Sequence, residues 1–249
     1  MTGEKEFLDG PHGRLAYRRR TGEKDGRPGI VWLGGYRSDM LGTKAEHLDQ
    51  WSQAQGRDFL RFDYSGHGES EGHFEAGSIG DWAADALAMI DAKTTGAQIL
   101  VGSSMGGWIA ALTALKRPEK AAAIVFIAPA PDFTEKLMWP SFTTEQQETI
   151  MREGKLELPS DYSDEPDLYT RKLIEDGRDH LIMNGPVAIH CPVRILQGMK
   201  DDAVPFAHAL DFAALLESDD VEILLTPKGD HRLSTPPDLE RLTRILDRL

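Results

Sequence analysis

"QILVGSSMGGWIAALTALKRPE", residues Gln98–Glu119, changes character at its middle. Ile99, Leu100 and Val101 are apolar and mostly β-branched, as a buried strand requires. Gly102, two serines and Met105-Gly106-Gly107 follow, and the spacing then predicts a helix over Met105–Lys116, closed by Pro118. Gly102-Ser103-Ser104-Met105-Gly106 fits Gly-x-Ser-x-Gly, a pattern that acquires chemical meaning only between a strand and a helix. A nucleophile at such a turn projects from strained backbone, and glycine two residues to either side leaves room for close strand–helix packing. Ser104 is therefore the candidate nucleophile, with Ser103 its variable neighbour. The plainer reading is a small-residue turn that merely joins two elements.

A serine hydroxyl is a poor nucleophile at neutral pH and needs an adjacent base. The expected chain order on this kind of turn is nucleophile, acid, histidine. "VRILQGMKDDAVP" (Val193–Pro205) reads as a strand followed by a turn bearing Asp201 and Asp202, and "VEILLTPKGDHRLS" (Val221–Ser234) as the next strand followed by His231. Acid and base then sit at the carboxyl ends of neighbouring strands, where open α/β sheets place their sites. The other histidines lack this context: His12, His47, His73, His180, His190 and His208 read as surface or packing residues, and His67 as shaping a loop near the site.

Acyl transfer also needs two backbone donors aimed at the developing oxyanion. The N–H of Met105, after the nucleophile, supplies one, and the loop in "IVWLGGYRSDM" (Ile30–Met40) supplies the second through Tyr36. The alternative for that loop is a glycine turn alone. Other chemistries find no support. No His-Glu-x-x-His or comparable spacing suggests a metal, "GSSMGGW" lacks the Lys-Ser/Thr of a phosphate-binding loop, and "GHGESEG" misses the dinucleotide spacing by one residue. Cys191 reads as a small packed residue.

Around this core, short apolar runs alternate with helical patterns, which predicts an α/β fold with a mostly parallel central sheet flanked by helices. Strands are expected at Leu15–Arg19, Gly29–Leu33, Asp58–Phe62, Gln98–Gly102, Ala122–Ile127, Val193–Gln197 and Val221–Leu225, and helices at Phe206–Glu217 and Pro237–Leu249. "GSIGDWAADALAMIDA" carries Ile79, Trp82, Ala83, Ala86, Met89 and Ile90 on one helical face, with Ser78 as its cap. The alternation breaks over residues 132–190, where helical runs occur without a convincing strand, so a single domain over 1–249 with a helical cap or lid insertion is expected. Leu137, Met138, Trp139, Phe142, Leu156, Leu158, Tyr162, Leu168 and Tyr169 lie in that insertion and either wall an apolar acyl site or form the insertion's own packing.

At 249 residues the chain is long enough for one large core, and its 40% apolar content is that of a globular domain. A net charge of −13 argues against nucleic acid and anionic membranes as partners. No apolar run approaches the roughly 18 residues of a membrane span, so no membrane insertion is expected. The opening stretch has no apolar secretory core, and the one cysteine excludes an internal disulfide; both predict a cytoplasmic protein.

"GGYRSDMLGTKA" (34–45), "RFDYSGHGESEG" (61–72), "QILVGSSMGGW" (98–108), "RPEK" (117–120), "LQGMKDDAVP" (196–205) and "GDHR" (229–232) together resemble the α/β-hydrolase superfamily. Within it they resemble the mitochondrial acyl-protein thioesterases of the α/β-hydrolase-domain series and their bacterial relatives. The resemblance implies Ser104, Asp201 and His231 as a catalytic triad, with Asp201 favoured over Asp202 by the pattern Gly-x-x-Asp-x-x-Val-Pro. Two departures stand out: Gly34 replaces the proline often found before the oxyanion glycine, and no organelle-targeting segment is visible. The implied activity is hydrolysis of fatty-acyl thioesters on protein cysteines and of acyl glucuronide esters. The expected enzyme is thus a serine hydrolase acting without cofactor on a small-molecule or lipid-acylated ester or thioester. A peptidase or cofactor-free haloperoxidase on the same triad, or a binding protein that has lost the chemistry, are the alternatives.

Overall fold

The structure, a computed structural model, describes residues 3–23, 25–159 and 167–249. Tyr162, named above in the insertion, lies outside the described residues. Eight strands form one sheet in the order β1 (Lys5–Gly10), β2 (Gly13–Arg20), β4 (Phe59–Phe62), β3 (Gly29–Leu33), β5 (Gln98–Ser103), β6 (Ala121–Ile127), β9 (Val193–Gly198), β10 (Val221–Thr226). From β4 to β10 every pairing is parallel, while β1–β2 and β2–β4 are antiparallel. The strands expected from the sequence are present to within a residue or two at each end. The sequence pattern does not mark β1, because Lys5, Glu6 and Asp9 on this edge strand leave only Leu8 turned toward the core.

The register sorts the strand residues onto two faces. Ile30, Trp32, Ile99, Val101, Val125 and Ile127 share one buried cluster, packed by α1 (Thr43–Ala54) and α8 (Pro236–Leu246). Val31, Leu33, Leu100, Ile124, Phe126 and Ile195 turn to the other face. There they meet α2 (Ile79–Lys93), α3 (Met105–Lys116) and α7 (Phe206–Leu215). The Ser78 hydroxyl caps α2 by accepting from the Asp81 N–H. Burial of both faces is why β3, β5 and β6 read as continuous apolar runs rather than alternating ones. β5 lies in mid-sheet, so its carboxyl end, which carries the serine turn, is flanked on both sides by ordered strands.

Between β6 and β9 the chain leaves the sheet. A π-helical turn at Thr134–Met138 runs into the short α4 (Trp139–Ser141), followed by α5 (Thr144–Glu153) and, after a hairpin, α6 (Arg171–Asp179). The hairpin pairs β7 (Lys155–Leu158) with β8 (Asp167–Thr170) and corrects the expectation of no strand here. Each of these strands is four residues long, too short for alternation to stand out among charges. Phe142, Ile150 and Ile174 form a small core of their own, against which Met138, Trp139, Leu156, Leu158 and Tyr169 pack. Most of the insertion's apolar set therefore holds the insertion together.

One carboxylate fastens both ends of this excursion. Asp132 is fully buried, with φ of 56°, and its two oxygens accept the N–H groups of Ile182 and Met183 at 2.8 Å each. Removing it strands one buried and one partly buried donor, at a cost of about 1–3 kcal/mol for each that is left unsatisfied. Asp132→Ala is expected to lower unfolding stability by roughly 2–4 kcal/mol, and Asp132→Asn, which keeps one acceptor, by about half of that. Denaturant midpoints check this, and an unchanged midpoint for Asp132→Ala contradicts it.

Candidate active site

Ser104 occupies the turn between β5 and α3 with φ 55° and ψ −119°, left-handed backbone that a residue with a Cβ adopts at a cost of about 1–3 kcal/mol. Its N–H donates to Ile127 O at 2.9 Å, and its carbonyl accepts from Gly107 N at 2.9 Å and Ala130 N at 3.2 Å. The turn closes only if α3 lies directly on β3: a Cβ on Gly106 would fall 2.0 Å from Leu33 O. The serine side chain is left half-buried at the carboxyl edge of the sheet.

His231 follows β10, and Asp201 follows β9. The two loops cross backbone against backbone at Gly198 and Gly229, where a Cβ on Gly198 would meet Gly229 O at 2.4 Å. Lys200 N donates to Gly229 O at 2.9 Å and locks the crossing. As a result His231 Nε2 lies 3.1 Å from Ser104 Oγ, and His231 Nδ1 lies 2.8 Å from Asp201 Oδ2. An ionised carboxylate only accepts, so Nδ1 carries the proton and Nε2 presents its lone pair to the hydroxyl. The imidazole is 29% exposed while the Asp201 carboxylate is fully buried. Burial on that scale requires compensation: Ala203 N and Val204 N donate to Oδ1 at 3.0 and 2.7 Å, and Gln197 Nε2 to Oδ2 at 3.1 Å. Asp202, by contrast, is exposed.

The turn after β3 stands against the serine. A Cβ added to Gly35 would lie 3.6 Å from Ser104 Cβ. The next residue, Tyr36, has a backbone N–H that donates to no backbone acceptor among the described residues. Met105 opens α3, so its N–H is one of the first-turn donors with no partner inside the helix, at the end where the helix dipole favours negative charge. The Tyr36 ring is wedged between Phe74, Trp82 and Phe133, with centroids 4.9, 6.0 and 5.8 Å away. Its phenol donates to Leu168 O in β8 at 3.0 Å, and burial pushes the phenol pKa up. Arg37 Nη1 lies 3.1 Å from Asp167 Oδ1 on the same strand. The turn is thus tied to the insertion.

The structure brings Ser104, Asp201, His231, Tyr36 and Met105 together. Sequence reasoning passed over two supports. Gln197 was legible only as a polar residue at the end of an otherwise apolar strand. Asp63 ties the turn after β3 to the loop after β4, accepting Met40 N at 2.6 Å and Glu69 N at 2.8 Å, and desolvation raises its pKa to about 6. His67 is buried beside Tyr64, Phe74 and Trp82, a loop-shaping position, and burial lowers its pKa to about 4. Among the described residues no group of three or more His, Cys, Asp or Glu is placed to hold a metal ion, and no helix is long and apolar enough to cross a membrane.

Comparison with known proteins agrees with this architecture. A family model described as serine aminopeptidase, S33, matches residues 35–173. The mitochondrial palmitoyl-protein thioesterase ABHD10 of mouse is 38% identical over 238 residues, spanning 94% of this chain and 78% of the relative. Its human counterpart is 36% identical over 245 residues, spanning 98% and 79%. Among solved structures, an Agrobacterium vitis S4 protein superposes with a TM-score of 0.95 at 42% identity over 98% of each chain. Mouse alpha/beta hydrolase domain-containing protein 10 does so with a TM-score of 0.90 at 36% identity, over 99% of this chain and 98% of the other. The relatives also correct the expectation of a cytoplasmic protein, since those named thioesterases are mitochondrial. The missing secretory core and the single cysteine, on which that expectation rests, do not distinguish one reducing compartment from another. By family-model match, identity and shared fold, this chain belongs to the α/β-hydrolase family and is a hydrolase.

Proposed function

We propose that the chain is a serine hydrolase that cleaves carboxylic esters or thioesters through an acyl-enzyme on Ser104. The observation that carries this reading is the hydrogen-bonded line Ser104 Oγ, His231, Asp201, at 3.1 and 2.8 Å. His231 Nε2 takes the hydroxyl proton as Oγ attacks the acyl carbon. The tetrahedral oxyanion is met by the N–H groups of Tyr36 and Met105. As it collapses, His231 gives its proton to the departing alkoxide or thiolate, leaving the acyl group on Ser104. Water then attacks the ester as His231 accepts its proton, and the second tetrahedral intermediate collapses with His231 returning that proton to Ser104 Oγ as the carboxylic acid leaves. Asp201 holds the imidazole in the required tautomer and stabilises its charged form.

The relatives' name as palmitoyl-protein thioesterases supports a fatty-acyl thioester, on a small carrier or on a protein cysteine, as the substrate class. In this reading residues 132–190 act as a lid over the acyl group, supported by the ties from Tyr36 and Arg37 to β8. A thiolate leaves without prior protonation, whereas an amine must be protonated as it departs. Thioesters are therefore preferred over matched amides, even though the family model carries an aminopeptidase description.

Two measurements follow. Asp201→Asn lowers kcat by roughly ten-thousandfold through the wrong imidazole tautomer, while Asp202→Asn leaves it near wild type. The reverse order reassigns the acid. Over acyl thioesters from two to sixteen carbons, kcat/KM rises by up to about fourfold per methylene buried, until the site is full. A flat or falling series beyond acetyl, or efficient cleavage of a matched peptide amide, removes the fatty-acyl thioester reading.

A further inference from the structure

The stretch "SDMLGTKA" (38–45), among the most specific parts of the family resemblance, has no role in the chemistry above. It contains Lys44, in the first turn of α1 and half-buried. Lys44 Nζ donates to Arg232 O at 2.5 Å and lies 3.4 Å from Ser234 Oγ, bridging 188 positions of sequence. Arg232 is the residue directly after His231.

The loop that carries the histidine otherwise has slender support on that side. Leu233 N donates to Asp230 Oδ1 at 3.0 Å, and the Ser234 hydroxyl donates to Arg232 O at 3.0 Å, so both bonds stay within the loop itself. Leu233, next along, is in left-handed backbone with φ 45° and inserts its side chain into the core between sheet, α1 and α8. Lys44 supplies the loop with an anchor on a regular helix.

We propose that Lys44 is a positioning residue for His231, its ammonium latching the Arg232 carbonyl to α1 and so holding the imidazole in line with Ser104. This rests on the reading of Ser104 and His231 as nucleophile and base. The charged groups facing the ammonium are Asp230 and Arg232 from the loop and Asp238 from α8. Burial lowers its pKa to about 8, with Arg232 adding to the decrease and the two carboxylates opposing it. The latch therefore weakens within a range where the enzyme can be assayed. Loss of charge turns a charge-assisted hydrogen bond into a neutral one, a difference that corresponds to roughly fivefold in rate.

The experiment measures the second-order rate of fluorophosphonate labelling from pH 6 to 10 for wild type, Lys44→Arg and Lys44→Met, with Ser104→Ala alongside. Wild type passes through a maximum and falls roughly fivefold as pH rises past about 8. Lys44→Arg, which keeps its charge throughout, shows no such fall. Lys44→Met labels more slowly at neutral pH and has no alkaline limb, while KM for an acyl thioester stays at the wild-type value. A Lys44→Arg profile that falls at the same pH as wild type overturns the proposal, whether or not Lys44→Met folds. So does a Lys44→Met enzyme with the wild-type rate and profile. Labelling that persists in Ser104→Ala instead defeats the underlying reading of the nucleophile, whatever the Lys44 variants do.

Discussion

A single strained peptide turn organises this molecule. Ser104 stands at φ 55°, a conformation that a serine in an unconstrained loop abandons. It persists because three backbone hydrogen bonds, with Ile127, Gly107 and Ala130, fix the turn against β6, the first turn of α3 and the loop after β6. It also depends on Gly106, which lets α3 settle onto the Leu33 carbonyl with no Cβ between them. The strain projects the hydroxyl above the sheet edge and, in the same stroke, aims the first turn of α3 at the space beside it. In the proposed mechanism the nucleophile and one of its two oxyanion donors, the Met105 N–H, thus belong to one local structure, and the second donor, Tyr36, is brought up by the turn after β3.

The partners of the serine are delivered by crossing loops. Gly198 and Gly229 allow the turns after β9 and β10 to touch through their backbones, which sets the distance from Asp201 to His231. Burying the Asp201 carboxylate completely is tolerated because four donors surround it: His231, Gln197 and the N–H groups of Ala203 and Val204. A carboxylate so enclosed has little freedom to rotate, and the imidazole inherits that rigidity. Its remaining freedom lies on the side of the loop that Lys44 touches.

Much of this was legible in residue order. A strand–serine–helix pattern, an acid turn and a late histidine are local signals, and each is written within about a dozen consecutive residues. The apolar runs of β3, β5, β6 and β9 were legible because both faces of the sheet are covered. What escaped was built by contacts across the chain. β1 pairs through its backbone and turns only Leu8 to the core among polar neighbours, and β7–β8 is a pair of four-residue strands among charges. Gln197 and Lys44 matter through what they meet rather than through any pattern they belong to. The two uses foreseen for the insertion's aromatic and aliphatic residues were indistinguishable by composition, and the structure assigns most of them to a small core around Phe142, Ile150 and Ile174.

The central claim is that the serine held on this strained turn is the nucleophile. Reaction of the native protein with a fluorophosphonate, followed by digestion and tandem mass spectrometry, tests it most directly. The account predicts one equivalent of adduct, on Ser104, with Ser103 beside it unmodified and labelling abolished in Ser104→Ala but retained in Ser103→Ala. Adduct on Ser103, or full labelling of the Ser104→Ala protein, would contradict it.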